Sequence, residues 1–178
     1  MSPNKALEHT IAALAVTREH SDPTATLHVI GKPDTSEYDR ALHRYVAELG
    51  LVPAVTFTGH VSDASVASAY ATADVLVVTS DHEGFCVPVI EAMSAGLPVV
   101  AFDQGAIAEV MGEAGFLVTS RNPYDLAAAI HSLLVEPQRR EALAVEARKR
   151  IAELGLETAA DRFAAVACTL LNRHGQSW

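Results

Sequence analysis

Cysteine is scarce in this chain. Only Cys86 and Cys168 occur among 178 residues, too few for a disulfide scaffold. A reducing, cytoplasmic setting is therefore expected. Basic charge is also short: 13 Lys and Arg stand against 22 Asp and Glu, a formal net charge of −9. That balance argues against DNA or RNA as a partner, which needs Lys and Arg to neutralise phosphate. No apolar run approaches the ~20 residues of a membrane-spanning helix. The opening MSPNKALEHT lacks the basic-then-apolar layout of a signal peptide. The 8 histidines never fall at i,i+2 or i,i+4, and HExxH and CxxC are absent. No local metal motif is present, and no residue is assigned as a metal ligand.

What is there describes a globular chain. Hydrophobic residues make up 49% and charged residues 20%, enough for a real core. The length fits one domain over 1–178. Short, nearly all-apolar runs predict strands at Thr26–Ile30, Val55–Thr58, Val75–Thr79, Pro98–Phe102 and Phe116–Val118. Such runs suit parallel strands covered on both faces. Helical stripes lie between them: Leu42, Tyr45, Val46 and Leu49; Val66, Ala69, Tyr70 and Ala73; Leu126, Ile130, Leu133 and Leu134. Ser2-Pro3 and Asn122-Pro123 read as a capping side chain before a proline. Asp125 stands where a capping box has Glu. Gly96-Leu97-Pro98 reads as a helix stop. The alternation predicts an α/β, Rossmann-like doubly wound parallel sheet. The segment 137–173 reads as two or three helices packed on it, with Phe163, Val166, Ala167, Leu170 and Leu171 on one face.

Ligands of open parallel sheets bind beyond the carboxyl ends of the strands. Each such end here carries glycine: Gly31, Gly59, Gly84 and Gly105. Any one of them alone is most simply a tight turn. The third loop is different. Glu83-Gly84-Phe85-Cys86-Val87 runs straight into a helix opening at about Pro88. The main-chain N–H groups of Phe85, Cys86 and Val87 would then form an anion site suited to a diphosphate. Glu83 and Glu91 flank that turn. Carboxylates repel phosphate but accept hydrogen bonds from vicinal hydroxyls, so sugar or ribose is their natural partner.

The run from Glu83 to Met93 resembles the E-x7-E signature of retaining glycosyltransferases with the GT-B fold, family 4 type. The similarity continues through Ala95–Ala101, Gln104–Glu109, Gly115–Val118 and Asn122–Leu126. Pro3-Asn4-Lys5 resembles the family's P-x-K, and Phe57–Ser62 its strand-and-glycine segment at the nucleoside. The resemblance implies the donor-binding half of a GT-B fold. It implies transfer of a hexose-type sugar from a nucleotide-diphosphate sugar, with retention and without a metal or other cofactor. Lys5 would touch the diphosphate, and Glu91 would hold ribose hydroxyls. Glu83 would hold donor-sugar hydroxyls near the anomeric carbon, as the catalytic residue. Gly84, Phe85, Cys86 and Val87 would meet sugar and phosphate through their backbone. His60 and Val61 would border the base, and Gly31 would belong to the same nucleotide-binding site.

Cys86 stands where the family often has glycine. A helix N-terminus can acidify a thiol, yet packing is the favoured reading, because no step of this chemistry needs a thiol. Gly105-Ala106 replaces Gly-Gly. The family's first strand and Gly-Arg, which precede the segment matching Ser2–Lys5, have no counterpart here, nor has the acceptor-binding domain. The chain thus reads as half an enzyme, whose partner is an N-terminal acceptor-binding domain or a separate chain supplying it. The first strand lies mid-sheet in the order 3-2-1-4-5-6. Either Thr26–Ile30 pairs directly with Val75–Thr79, or an exposed or self-paired edge drives homo-association. Membrane association would reside in the other half. Two further readings are a nucleotide-sugar binding module without transfer activity, and an epimerase or hydrolase of nucleotide sugars.

Overall fold

The computed structural model describes residues 2–155. The strands are β1 Leu27–Ile30, β2 Val55–Gly59, β3 Leu76–Val78, β4 Val99–Phe102 and β5 Gly115–Val118, each within two residues of its predicted run. The helices are α1 Leu7–His20, α2 Ser36–Glu48, α3 Asp63–Thr72, α4 Val87–Ser94, α5 Ile107–Met111, α6 Pro123–Val135 and α7 Pro137–Leu154. All strand pairs are parallel, as the alternation of strand and helix requires.

Alternate residues of the strands feed opposite layers. Val99 and Ala101 of β4 pack with Val89, Met93, Ile107 and Met111 from α4 and α5, and with Ala147 of α7. Val100 and Phe102 point the other way, onto Ala13 of α1 and Leu126, Ile130 and Leu133 of α6. β4 is buried at all four residues, which is why it reads as an unbroken apolar run.

The sheet is in two parts: β1 pairs with β2, and β3, β4 and β5 follow in that order. Direct pairing of β1 with β3, one of the alternatives above, does not occur. Helix α1 holds the two parts side by side. Its Ile11 and Leu14 pack with Leu42, Val46 and Leu51 over β1 and β2. Its Ala13 and Val16 pack over the other three strands.

Local signals read from the sequence act in part. Gly96 takes φ +72 after α4, and Leu97 N–H bonds Ala92 O at 2.9 Å while Gly96 N–H bonds Met93 O at 3.1 Å. That is the Schellman stop. Asn122 caps α6 by accepting from Tyr124 N–H at 3.0 Å. Ser2 makes no such cap. Pro3–Lys5 forms only a 3₁₀ turn, because Ala6 takes the left-handed conformation at φ 44° and breaks the helix before α1. Of the predicted helical tail, α7 packs through Ala147, Ile151 and Leu154. Residues 156–173, with the predicted face of Phe163, Val166, Ala167, Leu170 and Leu171, lie outside the described residues.

The Ala6 kink places Lys5, and Thr79 secures it. Thr79, 2% exposed at the end of β3, bonds Lys5 O at 3.1 Å and Ala6 O at 3.0 Å, and meets Thr10 Oγ1 at 3.0 Å. Thr79→Val keeps the shape and strips these partners. We expect it to destabilise the chain by roughly 1–3 kcal/mol, read from the urea midpoint, with Thr79→Ser close to the parent. A Thr79→Val midpoint equal to the parent's would show that the hydroxyl does not secure the kink.

Candidate functional site

The loop after β3 is fixed from two sides. Asp81 N–H bonds Asn4 O at 2.8 Å, which ties the loop to the 3₁₀ turn. Ala106 N–H bonds the main-chain oxygen of Glu83 at 3.0 Å. Gly105 makes the second contact close: a Cβ there would sit 2.4 Å from Glu83 O, and its φ is +60°. Glycine is needed at this position for both reasons.

The Glu83 side chain is held as firmly. Lys5 Nζ donates to Glu83 Oε1 at 2.5 Å, and Ser80 Oγ donates to the same oxygen at 2.6 Å. Burial alone would push this carboxyl up. The hydrogen bonds from Lys5 and Ser80, with the charges of Lys5 and His82, outweigh burial and hold it below the ordinary glutamate value. Glu83 is therefore a carboxylate at neutral pH. Both donors use Oε1, so among the described residues Oε2 takes no hydrogen bond and can accept from a ligand hydroxyl.

Helix α4 opens beside this pair. Cys86 is its N-cap, at φ 48° and ψ 66°, and makes no side-chain capping bond. Pro88 has no N–H and Val89 N–H bonds Cys86 O at 2.9 Å, so in the first turn of α4 it is the Val87 N–H that lacks a side-chain acceptor, an arrangement that favours an anion. Phe85 and Val87 on either side are 47% and 54% exposed, and Gly84 has open space around it. The Cys86 side chain instead turns into the core, at 4% exposed. Burial first, and the Glu83 charge second, push its thiol up, so it is a packed thiol and not an acidified one.

Glu91 lies one turn into α4, exposed, and accepts from Tyr70 Oη of α3 at 2.9 Å. Burial and then the Glu91 bond push the Tyr70 hydroxyl well above its ordinary value, so it stays a donor. This bond orients one Glu91 oxygen, and among the described residues the other takes no hydrogen bond. Arg121 lies against the loop after β3, bonded to Asp81 Oδ1 at 2.6 Å and stacked over the Phe102 ring at 5.2 Å.

The hydrogen bonds therefore gather Lys5, Ser80, Glu83 and Gly105-Ala106 into one unit, with α4 opening from it. Gly31, His60 and Val61 belong to another group, at the ends of β1 and β2. Gly31 N–H bonds Gly59 O at 2.9 Å, His60 is exposed and Val61 half-buried. Sequence reasoning missed the roles of Ser80 and Tyr70. Ser80 carried a signal, three residues before Glu83 in the same strand-end loop. Tyr70 carried none, because its helical stripe already accounted for it. Among the described residues no three His, Cys, Asp or Glu gather in a way that could hold a metal.

The family model described as Glycosyl transferases group 1 matches residues 1–136 of the chain. The chain is similar to D-inositol 3-phosphate glycosyltransferase of Thermomonospora curvata, with 34% identity over 170 residues, covering 91% of this chain and 39% of that protein. It is also similar to the MMP alpha-(1->4)-mannosyltransferase of Mycolicibacterium hassiacum, at 33% identity over 155 residues, covering 85% of this chain and 36% of that one. The chain thus spans less than half the length of these relatives. Among solved structures it is similar to a sucrose-phosphate synthase from Thermosynechococcus elongatus, with TM-score 0.85, 29% identity, and coverage of 96% of this chain and 43% of that one. Anabaena HepE in complex with UDP and glucose gives TM-score 0.76 and 28% identity, over 92% of this chain and 46% of that one.

Proposed function

Because this chain belongs to the group 1 glycosyl transferases, we propose that it is the donor-binding half of a retaining enzyme that moves a hexose-type sugar from a nucleotide-diphosphate sugar. The observation that carries this reading is the Lys5–Glu83–Ser80 unit at the uncapped start of α4. In it a cation, a free carboxylate oxygen and main-chain N–H groups lie together. The diphosphate would lie against Lys5 and the N–H groups of Phe85 and Val87. Its charge would be met by the Lys5 ammonium and the helix dipole, without a metal. The sugar hydroxyls would bond Glu83 Oε2, and the ribose would bond the open oxygen of Glu91. The UDP complexes of the HepE relative support a uridine nucleotide as the first donor to test. The acceptor would be held by an N-terminal domain or by a separate chain. A cytoplasmic setting is part of the proposal.

A second reading is a module that binds the nucleotide sugar and transfers nothing. Calorimetric titration with UDP, GDP and ADP tests the donor site in either case. We expect selective binding of one nucleotide, weakened roughly ten- to a hundred-fold in Glu91→Ala through loss of a charge-assisted bond. Equal affinity in Glu91→Ala would remove Glu91 from the ribose. Transfer appearing only when an acceptor-binding domain is added would separate the half-enzyme from the module.

A further inference from the structure

Helix α4 turns one face into the core and another outward. Val89, Ile90, Ala92 and Met93 are buried, and Glu91 among them is exposed. An exposed glutamate is a flexible side chain, and fixing it has an entropic cost. Glu91 is nevertheless held, because its Oε2 accepts from Tyr70 Oη at 2.9 Å. Among the described residues Glu91 forms no ion pair. Its one donor is thus a neutral phenol, brought from another helix 21 residues earlier in the chain.

Tyr70 is itself well anchored. No residue of α3 is fully buried, but the Tyr70 ring packs against the core cluster that contains Val89, Ile90 and Met93 of α4. A tyrosine has two side-chain torsions before its hydroxyl, so a packed ring leaves the hydroxyl little freedom. Burial of the ring, first, and the bond to Glu91 keep that hydroxyl protonated, so it is a donor throughout the neutral range. The phenol also leaves the carboxylate its full charge. Hydroxyls bonding a charged acceptor make the stronger kind of hydrogen bond.

We propose that Tyr70 is a positioning residue for the ribose: by holding Glu91 Oε2 it leaves a fixed Oε1 for the sugar, and so sets the preference for ribonucleotides over nucleotides that lack the vicinal hydroxyls. The inference rests on the proposal that Glu91 holds the ribose, and adds the group that prepares it. A free Glu91 would lose side-chain freedom on bonding the ribose, which weakens binding. A held Glu91 has already lost that freedom on folding.

The test titrates the chain with UDP, GDP and ADP, each beside its 2′,3′-dideoxy counterpart. The parent, Tyr70→Phe, Glu91→Ala and the double variant are compared by calorimetry. The parent is expected to prefer a ribonucleotide by about ten- to a hundred-fold, through hydroxyl bonds to a charged acceptor. Tyr70→Phe keeps the ring in the core and removes only the donor. It should lower that preference roughly two- to ten-fold, the effect of ordering one flexible side chain, and leave the dideoxy affinity unchanged. In the Glu91→Ala background the same substitution should change nothing, because Tyr70 acts through Glu91. A full ribose preference in Tyr70→Phe, equal weakening of ribo and dideoxy nucleotides, or a further loss in the double variant would overturn the proposal. A ribose preference that survives in Glu91→Ala, or a parent that binds none of the three nucleotides, would instead overturn the assignment of the ribose to Glu91, and the proposal with it.

Discussion

In the chain joined to an acceptor-binding domain, Glu83→Gln is expected to lower the rate of sugar transfer by about a hundred- to a thousand-fold. Glutamine keeps the size of the side chain and an oxygen for Lys5 and Ser80. It removes the negative charge, which the lowered pKa of Glu83 shows to be present at neutral pH. Glycosyl transfer passes through an oxocarbenium-like transition state, so a fixed carboxylate beside the sugar acts where positive charge develops. Ground-state nucleotide binding should change far less. Steady-state rates, with UDP affinity measured alongside, check both. A Glu83→Gln enzyme at full rate would remove Glu83 from the chemistry.

The same substitution has a stability consequence of definite sign. Glu83 has a folded-state pKa below its unfolded value. Its contribution is therefore fully present above the unfolded value of about 4.3. It is lost as pH falls through the lower, folded value. Glu83→Gln should flatten that acid limb in urea titrations taken between about pH 5 and pH 3, and leave the slope at higher pH unchanged.

Gly105→Ala carries the other large effect. The added methyl meets the main-chain oxygen of Glu83 at 2.4 Å, and a left-handed φ of +60° is imposed on alanine. A flexible side chain could move aside, but a main-chain oxygen moves only if the loop moves. The Ala106 N–H bond to Glu83 would be lost with it. We expect destabilisation of roughly 2–4 kcal/mol, from left-handed strain together with the clash, and displacement of Glu83 from Lys5. Gly50 provides the control. Its φ is +68° and a Cβ there meets nothing within 4 Å. Gly50→Ala should cost only the strain, about 1–2 kcal/mol, and leave donor binding intact. Equal losses at the two positions in thermal and urea unfolding would show that the contact with Glu83 is unimportant.

The strands were legible because their residues are almost wholly apolar, and parallel strands buried on both faces leave few other readings. Helix ends were legible where a side chain or glycine marks them, as at Asn122 and Gly96. Ala6 was not, since nothing in an alanine signals a left-handed turn; its conformation follows from Thr79, seventy-odd residues away. The candidate site divides the same way. Glu83 and Glu91 stand on one loop and helix, so their spacing could be read. Lys5 entered only through family resemblance, with a role on the diphosphate, and its bond to Glu83, which joins distant segments, was not read from the sequence. Gly105 read as an ordinary turn, because its need for glycine lies in a neighbour the sequence does not show.

The turn from Glu83 to Val87, with Lys5, is proposed to receive the diphosphate. Amide resonances of the chain followed during titration with UDP test it most directly. Saturable shifts are expected at Gly84, Phe85, Cys86, Val87 and Glu91, all reduced in Lys5→Met. Shifts confined to other loops, or unchanged at that turn on saturation, would contradict it.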